Sequence, residues 1–251
     1  MKTYYFFQNS CNGKRAGNVM KKMSTSFYRP LFKILRRLLR IIYPRYTTEL
    51  LDHPGPAVYV VRHQNLFGPF IALLWFPKDL HAWILHVFLN QKECYKQYVN
   101  YTLTKRMGIN RTLAKLIALP LSYFVAKLLN SGRGIPVYRG SKKIIHTFHQ
   151  SLDVLLKGES IVIFPDIDYR NNSPVLKEMY DGFLYLEKYY FQATGNHLCF
   201  IPLYVSKKNR KLVADKHIYF RDGQAFSTER TVVYEKIRSH LNRLARQCGD
   251  I

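Results

Sequence analysis

The sequence is short of acid. Only 16 Asp and Glu stand against 39 Lys and Arg, a formal net charge of +23. A chain so biased repels itself unless an anionic partner neutralises it, which excludes a charge-balanced surface indifferent to polyanions. Nucleic acid and anionic lipid both supply that charge, so the distribution of the bases has to decide between them. Cysteine is scarce too. Cys11, Cys94, Cys199 and Cys248 are scattered, with no pair at the two-residue spacing of zinc or redox motifs, and a reducing cytosolic setting with free thiols is expected. No run of uncharged apolar residues reaches the roughly 18 that a spanning helix needs. The longest, 116–129 and 71–76, are short or interrupted by Pro120 and Lys127, and read as core or as surface embedded in one leaflet. Residues 1–22 lack the apolar stretch and small cleavage-site residues of a secretory signal, so none is expected there. Internal repeats and long linkers are also missing.

What is present is enough apolar surface for a folded α/β domain: 47% hydrophobic and 15% aromatic residues in a chain of 251. Beyond a polar start, Phe27, Leu31, Ile34, Leu35, Leu38, Ile41 and Ile42 recur at helical spacing, with Arg29, Lys33, Arg36, Arg37 and Arg40 between them. This pattern suits a helix lying in the headgroup plane, with Phe27, Leu31 and Leu38 toward the acyl region and Arg36, Arg37 and Arg40 on phosphates. A core helix with a solvated basic face is the plainer alternative. Pro44 and the Asp52-His53-Pro54-Gly55-Pro56 cluster close this unit. Two units are therefore expected, a basic tail with an amphipathic membrane-surface helix over 1–50 and an α/β domain over 51–251.

Within the second unit, strands are predicted over 57–62, 82–89, 135–138, 160–164 and 198–205, with a hairpin continuing over 210–220. Helices are predicted over 70–76, 113–129, 142–157, 182–193 and 231–246. Short buried strands alternating with helices give a mainly parallel mixed sheet flanked by helices.

Four blocks, in this order, carry chemistry-bearing residues. His63-Gln64-Asn65-Leu66-Phe67-Gly68 follows the first buried strand, and Gly134-Ile135-Pro136-Val137-Tyr138-Arg139 is a Gly-led strand ending in a base. Phe164-Pro165-Asp166-Ile167-Asp168-Tyr169-Arg170 follows another buried strand, with Tyr180-Asp181-Gly182-Phe183 after it, and Ile201-Pro202-Leu203 comes last. In order and spacing they resemble the lysophospholipid acyltransferase family, which acylates glycerol-3-phosphate and lysophosphatidate, over about 27–246. No single block is specific; their succession is what carries the resemblance.

The resemblance implies roles. His63 stands at the family's general base, able to take a proton from a glycerol hydroxyl as it attacks an acyl carbonyl. Arg139 stands at the phosphate-binding Arg, where guanidinium geometry favours a bidentate grip. Arg170, Asn65 and Gly134 are further candidates for substrate binding. The departures are equally specific. Gly68 replaces the family's Asp of His-x-x-x-x-Asp, Asp166 replaces Glu, Ile167 replaces Gly, and Arg170 falls one residue late.

Three accounts of the missing carboxylate are open. Asp168 or Asp166 serves as its surrogate, which is the favoured account; Asn65 or a backbone carbonyl holds the ring; or the chain is a non-catalytic lipid binder. The implied acyl donor is acyl-CoA or acyl-carrier protein, and the implied acceptor a glycerol phosphate or lysolipid. The expected partner is an anionic membrane surface and the expected place its cytoplasmic face, peripheral or monotopic. No metal or redox cofactor is expected. Nucleic acid is the alternative partner, disfavoured because no nucleic-acid-binding signature is visible and the bases cluster on one face of an apolar helix.

Overall fold

The computed structural model describes residues 27–168 and 175–251. In chain order they form α1 (Pro30–Ile42), β1 (Thr47–Glu49), β2 (Ala57–Val61), α2 (Phe67–Trp75), β3 (Leu80–Leu85) and α3 (Gln91–Gln97). A π-helical stretch, Tyr98–Arg106, leads to α4 (Arg111–Ser131), β4 (Ile135–Val137), α5 (Ile144–Leu156) and β5 (Ser160–Ile163). Then come α6 (Leu186–Thr194), β6 (Cys199–Ser206), β7 (Lys211–Ala214) and α7 (Phe226–Gln247).

β2 reads Ala-Val-Tyr-Val-Val and is buried along its whole length. A strand apolar on both faces can be satisfied only in the middle of a covered sheet, as parallel strands usually are. β2 indeed lies between β5 and β6 in a sheet of 7 strands ordered β1-β7-β6-β2-β5-β3-β4. All neighbours run parallel except the β6–β7 hairpin. Because side chains alternate, Val58 and Val60 join Leu155, Ile161, Val233 and Ile237 under α5 and α7, whereas Ala57, Tyr59 and Val61 join Ile71, Ala72 and Ile201 under α2. The fold is α/β, with a mainly parallel mixed sheet between helical layers.

Several predicted elements differ from the observed ones. Residues 91–106, a basic, Tyr-rich region where no element is predicted, are helical: Asn90 caps α3 by accepting from the Lys92 and Glu93 amides. α4 is continuous through Pro120. It buries the small residues Ala114, Ala118, Ser122 and Ala126 and leaves Leu113, Leu116, Leu119 and Tyr123 exposed. Among the described residues α4 is one helix long and apolar enough, by length and composition, to cross a membrane. β1, which the sequence reading passed over, falls within 1–50 and pairs with β7 through Thr47↔Lys211 and Glu49↔Val213.

α1 packs against α2 and α4. Its first turn is closed from a distance, since Ser131 Oγ accepts from the Phe32 amide at 2.9 Å and donates to the Arg29 carbonyl at 3.1 Å. Ile34, Leu38, Ile41 and Ile42 remain exposed on it.

Candidate active site

Parallel neighbours end on the same edge of a sheet, and crevices beyond the carboxyl ends of strands are where open α/β folds present chemistry. His63 follows β2, Phe164-Pro165-Asp166 follows β5, and Tyr138-Arg139 follows β4. The fourth block lies inside β6, in register with β2 through Tyr59↔Ile201 and Val61↔Leu203. The sheet thus gathers blocks separated in sequence.

The turn after β2 is tight. Gln64 and Asn65 both take left-handed φ, 44° and 62°, and the Gly68 amide donates to the His63 carbonyl at 3.1 Å. A Cβ on Gly68 would lie 1.8 Å from the Arg62 carbonyl oxygen. With this backbone no side chain fits at position 68, the Asp of the resemblance included. The same turn brings the Asn65 carbonyl oxygen against His63 Nδ1. A carbonyl only accepts, so Nδ1 carries the proton and the lone pair sits on Nε2. Burial and then the charge of Arg139 push the His63 imidazolium down to about 4, so the ring is neutral at pH 7.

Asp166 is 3% exposed. One oxygen accepts from the His63 amide at 2.8 Å and the other from Arg62 Nε at 3.3 Å. Burial raises its pKa, against the opposing pull of Arg62 and the His63 amide. It therefore fixes the main chain at His63, while the ring meets the Asn65 carbonyl. Asp168 is exposed to solvent. Arg170 lies outside the described residues. Gly134 has a packing reason to be glycine, because a Cβ there would stand 2.5 Å from Ile84 Cδ1.

Arg139 is exposed, with its guanidinium 4.3 Å from the centre of the Tyr180 ring. Tyr180 is held there by its amide, which donates to the Pro165 carbonyl at 2.8 Å, beside the Asp166↔Met179 bridge. Asn65 Oδ1 accepts from Arg106 at 3.4 Å, which adds a second base to this edge. The Phe164 ring is 6.0 Å from that of His63.

Arg62, Arg106 and Tyr180, which meet Asp166, Asn65 and Arg139, are further candidates that the sequence does not single out. Arg62 had a signal: a base closing a wholly apolar strand, buried to 2% exposure, calls for a buried acid. Its Nη1 is buried without a hydrogen-bond partner among the described residues.

Of the membrane candidates, Phe27 and Leu31 are half-buried, and Phe27 packs edge-on against His81 at 4.7 Å. Leu38 and Arg37 are exposed. Arg36 and Arg40 turn toward the end of α2, where Arg36 donates to the Leu74 and Phe76 carbonyls at 3.1 and 2.6 Å and Arg40 to Leu74 at 2.7 Å. A concavity lined by Tyr28, Lys33, Arg36, Arg37 and Arg40 runs along this flank and does not include His63.

No protein-family model matches the sequence, and no curated protein is significantly similar to it. Among solved structures, the chain is similar to the 1-acyl-sn-glycerophosphate (LPA) acyltransferase PlsC from Thermotoga maritima, with a TM-score of 0.48 and 12% identity over 85% of this chain and 78% of that one.

Proposed function

We propose that this protein is an acyltransferase acting at an anionic membrane surface, moving an acyl chain from a CoA or carrier-protein thioester to a hydroxyl of a glycerol phosphate or lysophospholipid. The observation that carries the reading is His63, a neutral imidazole whose Nδ1–H is fixed by the Asn65 carbonyl and whose Nε2 holds the lone pair. In the proposed reaction Nε2 takes the acceptor hydroxyl's proton as the oxygen attacks the thioester carbonyl, then returns it to the departing thiolate. Arg139, whose charge acts on His63, holds the acceptor phosphate.

A carbonyl replaces the carboxylate usually found behind such a histidine. In a serine protease, turning that Asp into Asn lowers kcat by roughly 10⁴, largely because the wrong tautomer results. The Asn65 carbonyl keeps the right tautomer and forgoes only the negative charge. This supports a slower base, not an absent one.

Membrane contact is supported by the exposed apolar residues of two packed helices, Ile34, Leu38 and Ile41 on α1 with Leu116 and Leu119 on α4, beside the exposed bases Lys33 and Arg37. The test is transfer of labelled acyl chains from acyl-CoA and from acyl-carrier protein to a panel of glycerol phosphates and lysolipids on anionic vesicles, wild type beside His63→Ala. Transfer lost in the variant supports the reading; transfer unchanged, or absent from the wild type across the panel, overturns it.

A further inference from the structure

At the opposite edge of the sheet from His63, three residues distant in the chain converge. Cys199 opens β6 and pairs with Ala57, the first residue of β2. On its other side the neighbouring Phe200 exchanges two backbone hydrogen bonds of 2.9 Å with Ile218; this antiparallel bridge puts Tyr219 opposite Cys199 and His217 diagonally from it on the same face. His53 belongs to the Pro-Gly loop that feeds β2, and its ring meets that of His217 edge-on with centroids 4.9 Å apart. The Cys199 sulfur and one ring nitrogen of each histidine all lie within 4.8 Å of one another.

We propose that His53, Cys199 and His217 bind one zinc ion that ties the 52–56 loop to the head of β6.

Two imidazoles and a thiol are the donor set that zinc favours. In a tetrahedral zinc site ligand atoms stand about 3.3–3.7 Å apart, as bonds of about 2.0 Å to nitrogen and 2.3 Å to sulfur require. Small side-chain rotations close the remaining gap; β6 holds the backbone beneath Cys199, and the isolated Phe200–Ile218 bridge holds the residue next to His217. His217 Nε2 is buried without a hydrogen-bond partner among the described residues, an unmet need in a protein interior.

The surroundings also suit a metal. His53 Nε2–H donates to the Pro56 carbonyl at 3.3 Å, which leaves the lone pair on Nδ1; a backbone carbonyl behind a ligating histidine is a frequent orienting partner. The Tyr219 hydroxyl acts to lower the pKa of the Cys199 thiol. Burial nonetheless pushes the thiol up to about 11, so the metal-free site is a thiol at neutral pH. Binding therefore forms the Zn–S bond, breaks the S–H bond and releases one proton to solvent. Three protein ligands leave the fourth position to water. Nothing in the cysteine spacing could signal such a site, because sheet pairing, not a local motif, assembles it.

The test titrates chelator-stripped full-length protein with Zn²⁺ and with Co²⁺. One equivalent should bind, with the thiol proton released near neutral pH and an affinity that rises with pH, and the cobalt form should show a sulfur-to-metal charge-transfer band. His53→Ala lies in a loop and leaves the strands intact; it and Cys199→Ser should each weaken binding by about 100-fold or more, while Cys94→Ser, at a buried thiol on α3, should not. Circular dichroism verifies that each variant is folded. Absence of saturable binding, a cobalt complex without the sulfur band, or equal affinity in His53→Ala overturns the proposal.

Discussion

Position 68 decides what stands behind the catalytic candidate. Since a Cβ there collides with the Arg62 carbonyl, Gly68→Asp cannot rebuild a His-Asp pair on this backbone. It should destabilise the fold by on the order of 3 kcal/mol, the range of forced overpacking, and lower any transfer activity. Urea denaturation beside an activity assay checks this, and a variant as stable as wild type with raised activity would contradict the geometry. The ring also makes a pH prediction. An ordinary histidine titrates near 6.5 and His63 at about 4, so kcat/KM should hold through mildly acid pH and fall with a midpoint near 4. Burial is the larger cause and Arg139 the smaller. Arg139→Gln should move that midpoint upward by only part of the interval while raising KM for phosphate-bearing acceptors. Stability follows the same linkage. The folded pKa lies below the unfolded one, so the unfolded chain binds the extra proton between about pH 4 and 6.5. This contribution is complete above that window, falls as pH drops through it, and is constant below.

At the scale of elements, what could be read from the sequence was whatever apolar periodicity controls. β2, β5 and β6 are buried along nearly their whole length and announce themselves as apolar runs. α5 and α7 announce themselves by a stripe every third or fourth residue. The missed elements are those whose stability comes from elsewhere in the chain. β1 is three exposed residues, Thr47–Glu49, existing only because β7 offers an edge. The segment 91–106 is Tyr- and Lys-rich, and becomes helical because Val99 and Leu103 find Ala114 and Ala118 on α4. Of the site, the position of His63 and its order relative to Arg139 were legible. A carbonyl behind the ring was one of three open accounts and could not be chosen among them, because a backbone carbonyl has no letter in the sequence and the left-handed turn at Gln64 and Asn65 lacks the glycines that usually mark one. α1 shows the same limit. Its bases look alike in sequence, yet Arg36 satisfies carbonyls at the end of α2 while Arg37 faces solvent. Arg36→Ala should therefore cost about 1–3 kcal/mol in denaturant unfolding, and Arg37→Ala less than about 0.5. Equal effects would show that the two bases share one role.

For the molecule as a whole, the excess of 39 bases over 16 acids and the exposed apolar residues of α1 and α4 are separable forces. Charge attracts over a Debye length, about 10 Å at 0.1 M salt and about 3 Å at 1 M, whereas apolar insertion is indifferent to screening. A purely electrostatic binder should leave anionic vesicles as salt rises. A chain that also inserts Ile34 and Leu38 should retain a salt-resistant fraction. We expect the wild type to cosediment with anionic vesicles at low salt, to keep part of that binding at about 1 M, and to lose the resistant part in Ile34→Glu/Leu38→Glu. Both residues are more than half exposed, at 59% and 54%, so the double variant should unfold at nearly the wild-type denaturant midpoint. RNA supplies the contrasting case, since its binding rests on phosphate contacts and counterion release and should vanish with salt in wild type and variant alike. Vesicle binding that behaves as RNA binding does would leave charge alone as the cause of association and remove the apolar residues of α1 from the membrane reading.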